Sequence, residues 1–112
     1  HWDFTTLHRH ILAGLAEAVR REPAIASVGI DSWAVDYGLV SAGELLGEPF
    51  HYRDERTARG VERVHASVTF DELYRRNGLQ FLPFNTLYQL VTERRLADAD
   101  AALLIPDLVA FL

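Results

Sequence analysis

The sequence has 112 residues, 49% of them apolar and 24% charged, the composition of a globular domain able to bury roughly 65% of its unfolded surface and unlike that of disordered or fibrous chains. Eleven cationic residues, all arginine, stand against 16 Asp plus Glu for a net charge of -5, with no basic stripe to neutralise a row of phosphates, so nucleic acid is a poor partner. The absence of Cys excludes a disulfide framework, a thiolate nucleophile and a Cys-ligated metal, and no apolar run approaches the ~20 residues of a bilayer span.

No signal-peptide layout opens the sequence, which reads as a cytoplasmic protein. The chain starts at His1, contains no Met, and stops at Phe111-Leu112 inside an apolar run that no Gly, Asn or Pro closes. A fragment of a longer protein is expected.

Leu7, Ile11, Leu12, Leu15 and Val19 recur at helical spacing over 4–21, with Asp3 and Thr5 available as caps and Arg20 and Arg21 in the last turn. Pro23 closes this amphipathic helix. Ile25 to Ile30 is a short, uncharged run of the kind found in buried parallel strands, with Asp31 and Ser32 at its C-terminal end. Trp33 to Val40 is a second extended run, Ser41-Ala42-Gly43-Glu44 reads as a hairpin turn into Leu45-Leu46, and Phe50 to Arg53 is expected to pair back.

Residues 58–67 predict a solvated helix with Val61 and Val64 inward. Thr69-Phe70-Asp71-Glu72 fits a capping box, and Asn77-Gly78 a left-handed stop after Arg76. Asn85 or Thr86 caps a further helix expected to turn Leu87, Leu90 and Val91 inward; Ala101 to Ile105 predicts a buried strand, and Asp107 begins the last helix. The alternation argues for an α/β domain whose two buried strands lack the central strands they would normally flank.

His8 and His10 are two residues apart and point to different sides of a helix, so the five histidines suggest surface positions and no metal site. There is no Gly-x-x-x-x-Gly-Lys or Gly-x-Gly-x-x-Gly loop and no Lys, hence no phosphate-clamping lysine; any nucleotide contact is expected elsewhere. Polar residues interrupt the apolar stretches at Asp31, Ser32, Trp33 and Asp36, and again at Arg53, Asp54, Glu55 and Arg56. Carboxylates and Arg pair with vicinal hydroxyls and a Trp ring covers the apolar face of a sugar, so the set suits a polyol. Ordinary ion pairing and a packed Trp would account for the same residues, and Phe84-Asn85-Thr86 is equally a binding loop or a helix cap.

At these three places the sequence resembles the rhamnulokinase branch of the FGGY carbohydrate kinases. Ser27-Val28-Gly29-Ile30-Asp31-Ser32-Trp33-Ala34-Val35-Asp36-Tyr37 is similar to that branch's Ser-Ile-Gly-Ile-Asp-Thr-Trp-Gly-Val-Asp-Phe, and Tyr52-Arg53-Asp54-Glu55-Arg56-Thr57 to its Tyr-Arg-Asp-x-Arg-Thr loop. Gly78 to Leu90 matches almost letter for letter, and Trp2-Asp3 and Leu103 to Asp107 extend the resemblance over the whole chain.

The resemblance implies an α/β fold: residues 1–112 would be the central part of the N-terminal, sugar-binding domain, truncated at both ends. They would form an incomplete ribonuclease H-like (actin-like ATPase) domain, a mixed sheet flanked by helices. It implies an ATP- and Mg2+-dependent kinase for the terminal hydroxyl of a ketose, L-rhamnulose giving its 1-phosphate. Other kinases of the family (glycerol, xylulose, fuculose) and a non-catalytic sugar-binding module remain alternatives.

By position, Trp33 and Ala34 fall on the sugar-binding turn, Asp36 follows it, and Arg53, Asp54, Phe84 and Asn85 lie on segments that line or brace the sugar cleft. Ala34 stands where the branch has Gly, and its methyl narrows the approach of backbone to sugar. The resemblance puts the catalytic base and the ATP and Mg2+ contacts outside this segment, so the isolated chain is expected to be inactive and to self-associate through an unpaired strand edge.

Overall fold

The computed structural model describes all 112 residues. Helix α1 covers Phe4–Arg21, opened by Asp3, whose carboxylate accepts from the Thr6 amide at 3.0 Å. The hairpin follows as β1, Tyr37–Ser41, and β2, Glu44–Leu45, joined through Ala42 and Gly43 at φ 50° and 85°, the twist-matched geometry of a two-residue turn. Helix α2 is Arg56–His65 and α3 is Phe70–Asn77. Thr69 caps α3 by accepting from the Glu72 amide at 3.1 Å, and Gly78 stops it at φ 67°. Helix α4 is Thr86–Leu90; a 3-10 turn at Leu96–Asp98 leads to β3, Ala101–Leu104, and α5, Ile105–Phe111.

The sheet order is β2-β1-β3 and every pairing is antiparallel, Tyr37 opposite Leu104 and Val40 opposite Ala101. Gly38 and Val40 of the buried central strand face the core of Phe4, Ile105 and Leu108. Tyr37 and Leu39 point to the opposite face, as strand alternation requires. The other packing seam joins α2 to α4, where Gly60 meets the Tyr88 carbonyl so closely that a Cβ at 60 would collide with it.

Several expectations are corrected. The sheet is not mixed: Ile25 to Ile30 is no buried parallel strand, for Ala26 to Ile30 make no backbone hydrogen bond and Val28 is 59% exposed. Both edges of β1 are already filled, by β2 and β3, so the sheet offers this run no central position. Phe50 to Arg53 does not pair back either; Pro49 precedes it and its rings stack with their neighbours instead. β3 is exposed on Ala101, Ala102 and Leu104, because it is an edge strand. In α4 the buried residues are Tyr88 and Gln89, while Leu87 is exposed: contact with Gly60 fixes which face turns inward. Along α1 only Phe4 is buried, so its apolar stripe lies largely open.

Candidate functional site

Trp33, Ala34, Val35 and Asp36 form the turn before β1. Asp36 is 1% exposed, and its Oδ2 accepts from two indoles, Trp2 Nε1 at 2.6 Å and Trp33 Nε1 at 2.8 Å. Trp2 reaches this carboxylate because Asp3 caps α1 and the Trp2 amide donates to the Pro49 carbonyl at 2.9 Å. Val35 adopts φ 68°, a left-handed conformation that a β-branched residue holds only when its surroundings compel it. Its carbonyl accepts from Thr86 Oγ1 at 2.8 Å and from Gln89 Nε2 at 3.1 Å.

Rings extend from this turn in a continuous row. Trp33 lies 4.5 Å from Trp2, Trp2 stacks on His51 at 4.4 Å, His51 on Tyr52 at 4.5 Å, and Tyr52 meets Phe84 at 5.4 Å. Arg53 donates to the Tyr52 hydroxyl at 3.2 Å and Asn85 Nδ2 to the Gln80 carbonyl at 3.2 Å. Val35, Asn85 and Thr86 also border a cleft of about 500 Å³, walled by Phe70, Tyr74 and Phe81. The arrangement offers aromatic faces, amide groups and an exposed guanidinium, the surface that a polyol's C–H face and hydroxyls match.

The structure thus brings together Trp33, Asp36 and Phe84, with Arg53 joined through Tyr52 and Asn85 at the cleft edge; Ala34 is exposed on the turn. Asp54 lies apart. Its Oδ1 accepts from the Arg56 amide at 2.9 Å at the start of α2, and the residue borders a separate cavity of about 360 Å³ with Arg56, Arg59, Arg94 and Arg95.

Below the turn runs a buried ion network. Arg56 donates to Glu93 Oε2 at 3.1 Å and packs 3.7 Å over the Phe50 ring; Arg95 binds Glu93 and the Leu46 carbonyl, each at 3.0 Å. Burial alone would raise the pKa of Glu93, but hydrogen bonds and charge from Arg95, with the charge of Arg56, outweigh it and bring it to about 2. Burial pushes the Tyr37 hydroxyl upward.

His65 uses both ring nitrogens, Nδ1 at 2.8 Å from the Val68 carbonyl and Nε2 at 2.9 Å from the Tyr88 hydroxyl, so it serves α2–α4 packing. Sequence reasoning missed Trp2, His51, Tyr52, Val35 and Gln89 as members of the site. The signal for Gln89 was available: an amide amid Leu87, Tyr88, Leu90 and Val91 has to find buried partners.

No family model matches the sequence. The relatives that the sequence matches along nearly all of its length are kinases by name. The particular relatives are rhamnulokinases: it is 39% identical over 118 residues to that of Bacteroides thetaiotaomicron, which spans 100% of this chain and 24% of the relative. It is 43% identical over 112 residues to the Yersinia pestis rhamnulokinase, 95% of this chain and 23% of the relative. It is 43% identical over 116 residues to that of Klebsiella pneumoniae, 98% of this chain and 24% of the relative. The chain is a homologue of rhamnulokinases that spans about a quarter of their length.

Proposed function

We propose that residues 1–112 form the central part of the N-terminal, sugar-binding domain of an ATP-dependent ketose kinase that converts L-rhamnulose to L-rhamnulose 1-phosphate. The observation that carries this reading is the row of rings from Trp33 to Phe84 around the left-handed turn, in a chain homologous throughout to rhamnulokinases. Ring faces would cover the sugar's C–H surface, while Arg53, Asn85 and the turn backbone at Ala34 meet its hydroxyls. Asp36 and Asp54 act indirectly, Asp36 by holding two indoles and Asp54 by starting α2.

The residues present do not fit a nucleotide site, since the chain has no lysine and no glycine-rich phosphate loop. ATP and Mg2+, which would supply the phosphoryl group and neutralise its charge, are assigned to the rest of a longer polypeptide, as is the base that takes the sugar's proton. The small sheet and its helices are read as part of a ribonuclease H-like domain, supported by the mixed α/β content. No helix is long and apolar enough to cross a membrane, and a cytoplasmic location accompanies the ATP-dependent reading.

The test is a sugar panel on the longer polypeptide that carries this segment. ADP formation with L-rhamnulose should exceed that with glycerol or D-xylulose in kcat/KM. Equal or higher values for glycerol or xylulose would overturn the substrate.

A further inference from the structure

The Gln89 amide is the junction of everything that shapes the turn. It is fully buried. Nε2 faces three acceptors, the Val35 carbonyl at 3.1 Å, the Phe84 carbonyl at 3.0 Å and Asp36 Oδ1 at 3.3 Å. On its other side Oε1 accepts from Arg56 Nη2 at 3.3 Å. The amide's orientation is therefore fixed by its surroundings: three acceptors require the NH2 and a guanidinium requires the oxygen. A carboxylate would set oxygen against all three acceptors, and an aliphatic side chain would leave them without this donor.

We infer that Gln89 is a positioning residue for the sugar site, holding Val35 in its left-handed conformation and locking the Trp33–Asp36 turn to the Phe84 loop. The inference rests on the reading of this site as a sugar site. A left-handed Val persists only where contacts outweigh its strain, and two donors aimed at one carbonyl, Thr86 Oγ1 and Gln89 Nε2, are the contacts that do so. The same amide binds Asp36, whose other oxygen carries both indoles, so the Val35 conformation and the Trp33 ring position are set by one group. Arg56 and Glu93 anchor that group from behind.

This arrangement gives the inference its own rescue experiment. Gly adopts positive φ without strain, so Val35→Gly removes the need for Gln89 to restrain the turn. In the longer polypeptide, Gln89→Leu should raise KM for L-rhamnulose about tenfold with kcat changed less than about twofold, since the reacting groups lie elsewhere. Adding Val35→Gly to Gln89→Leu should recover at least about threefold of that loss. A merely structural role would lower the amount of active enzyme and leave KM alone, and the double variant would not regain affinity. Unchanged KM in Gln89→Leu, or no recovery in the double variant, overturns the inference.

Should the wild-type polypeptide not use L-rhamnulose, the functional reading fails, and the inference is then judged on the 112-residue chain. Its only tryptophans are Trp2 and Trp33, so their near-ultraviolet circular dichroism reports the turn directly. Gln89→Glu should diminish that signal while far-ultraviolet helicity persists, and Val35→Gly should restore part of it in the Gln89→Leu background. An unaltered tryptophan signal in Gln89→Glu, or a signal lost together with helicity and not regained in the double variant, overturns the inference.

Discussion

Trp2 and Trp33 donate their indole hydrogens to one oxygen of Asp36, at 2.6 and 2.8 Å, across 34 residues of sequence in the first case and three in the second. The carboxylate joins the chain ahead of α1 to the turn before β1, and its removal leaves two part-buried N–H groups and the Gln89 amide short of an acceptor. Asp36→Ala should cost about 2 to 4 kcal/mol of unfolding free energy, summing unmade bonds of roughly 1 kcal/mol or more each. Urea titration followed by tryptophan emission measures it, with a red-shifted native spectrum expected. Wild-type stability and emission in the variant would refute the linkage. In the longer polypeptide, Trp33→Ala and Asp36→Ala should each weaken L-rhamnulose use by about 1 to 3 kcal/mol.

Gly60→Ala should destabilise the chain by about 1 to 3 kcal/mol, because the added methyl meets the Tyr88 backbone and not a side chain able to swing away. Gly14, where an added methyl would meet nothing within 4 Å, is the control on the other side: Gly14→Ala in the middle of α1 should be stabilising by roughly 0.5 to 1 kcal/mol. Thermal melts of the two variants moving in the same direction would contradict this contrast.

Where a sequence signal is local, the structure follows it closely. α1 begins and ends where its spacing and caps place it, Thr69 caps α3, Gly78 stops it left-handed, and Ala42-Gly43 turns the hairpin. Readings that depended on burial fared worse. An apolar run such as Ile25 to Ile30 reads as a buried strand only if a neighbour is there to pair with it, and the sheet of this chain has none to offer. The site was half legible for the same reason. Trp33 and Phe84 stand out as aromatics beside polar residues, but that Gln89, Trp2 and Tyr52 join them is a product of contacts between residues 32 to 54 apart, which no spacing encodes.

The open run centred on Val28, with the exposed Ile25 and Ile30, presents apolar side chains and unpaired backbone together. The isolated chain should therefore self-associate as concentration rises, and Val28→Arg should suppress it by placing charge in the contact. Sedimentation at several concentrations decides; a mass that stays monomeric throughout, or association indifferent to Val28→Arg, would exclude this run as the contact.

The isolated 112-residue chain should release no ADP from Mg-ATP and L-rhamnulose above a buffer blank, since phosphoryl transfer depends on cradling the triphosphate and the chain carries neither a lysine nor a glycine-rich phosphate loop. Turnover by the chain alone would put the active site within it and overturn the assignment of ATP to the rest of the polypeptide.

Acid should unfold the chain through Glu93. Its side chain is 2% exposed, lies between Arg56 and Arg95, and has its pKa brought to about 2 from an ordinary 4.5. A carboxylate depressed in the folded state contributes stability that is complete above the unfolded value and lost as pH falls through the interval down to the folded one. The window is therefore roughly pH 5 to 2, and the contribution is on the order of 1 to 3 kcal/mol. Glu93→Gln should abolish most of this pH dependence and, at neutral pH, cost roughly 3 kcal/mol, because Arg95 loses its counter-charge and the almost wholly buried Arg56 keeps only Asp54, at 3.9 Å. Because Arg56 also holds the oxygen of Gln89, the same variant should loosen the tryptophan turn as well as the fold. Urea midpoints from pH 7 down to pH 2.5 for wild type and Glu93→Gln test it: parallel curves would mean that some other carboxylate carries the acid transition.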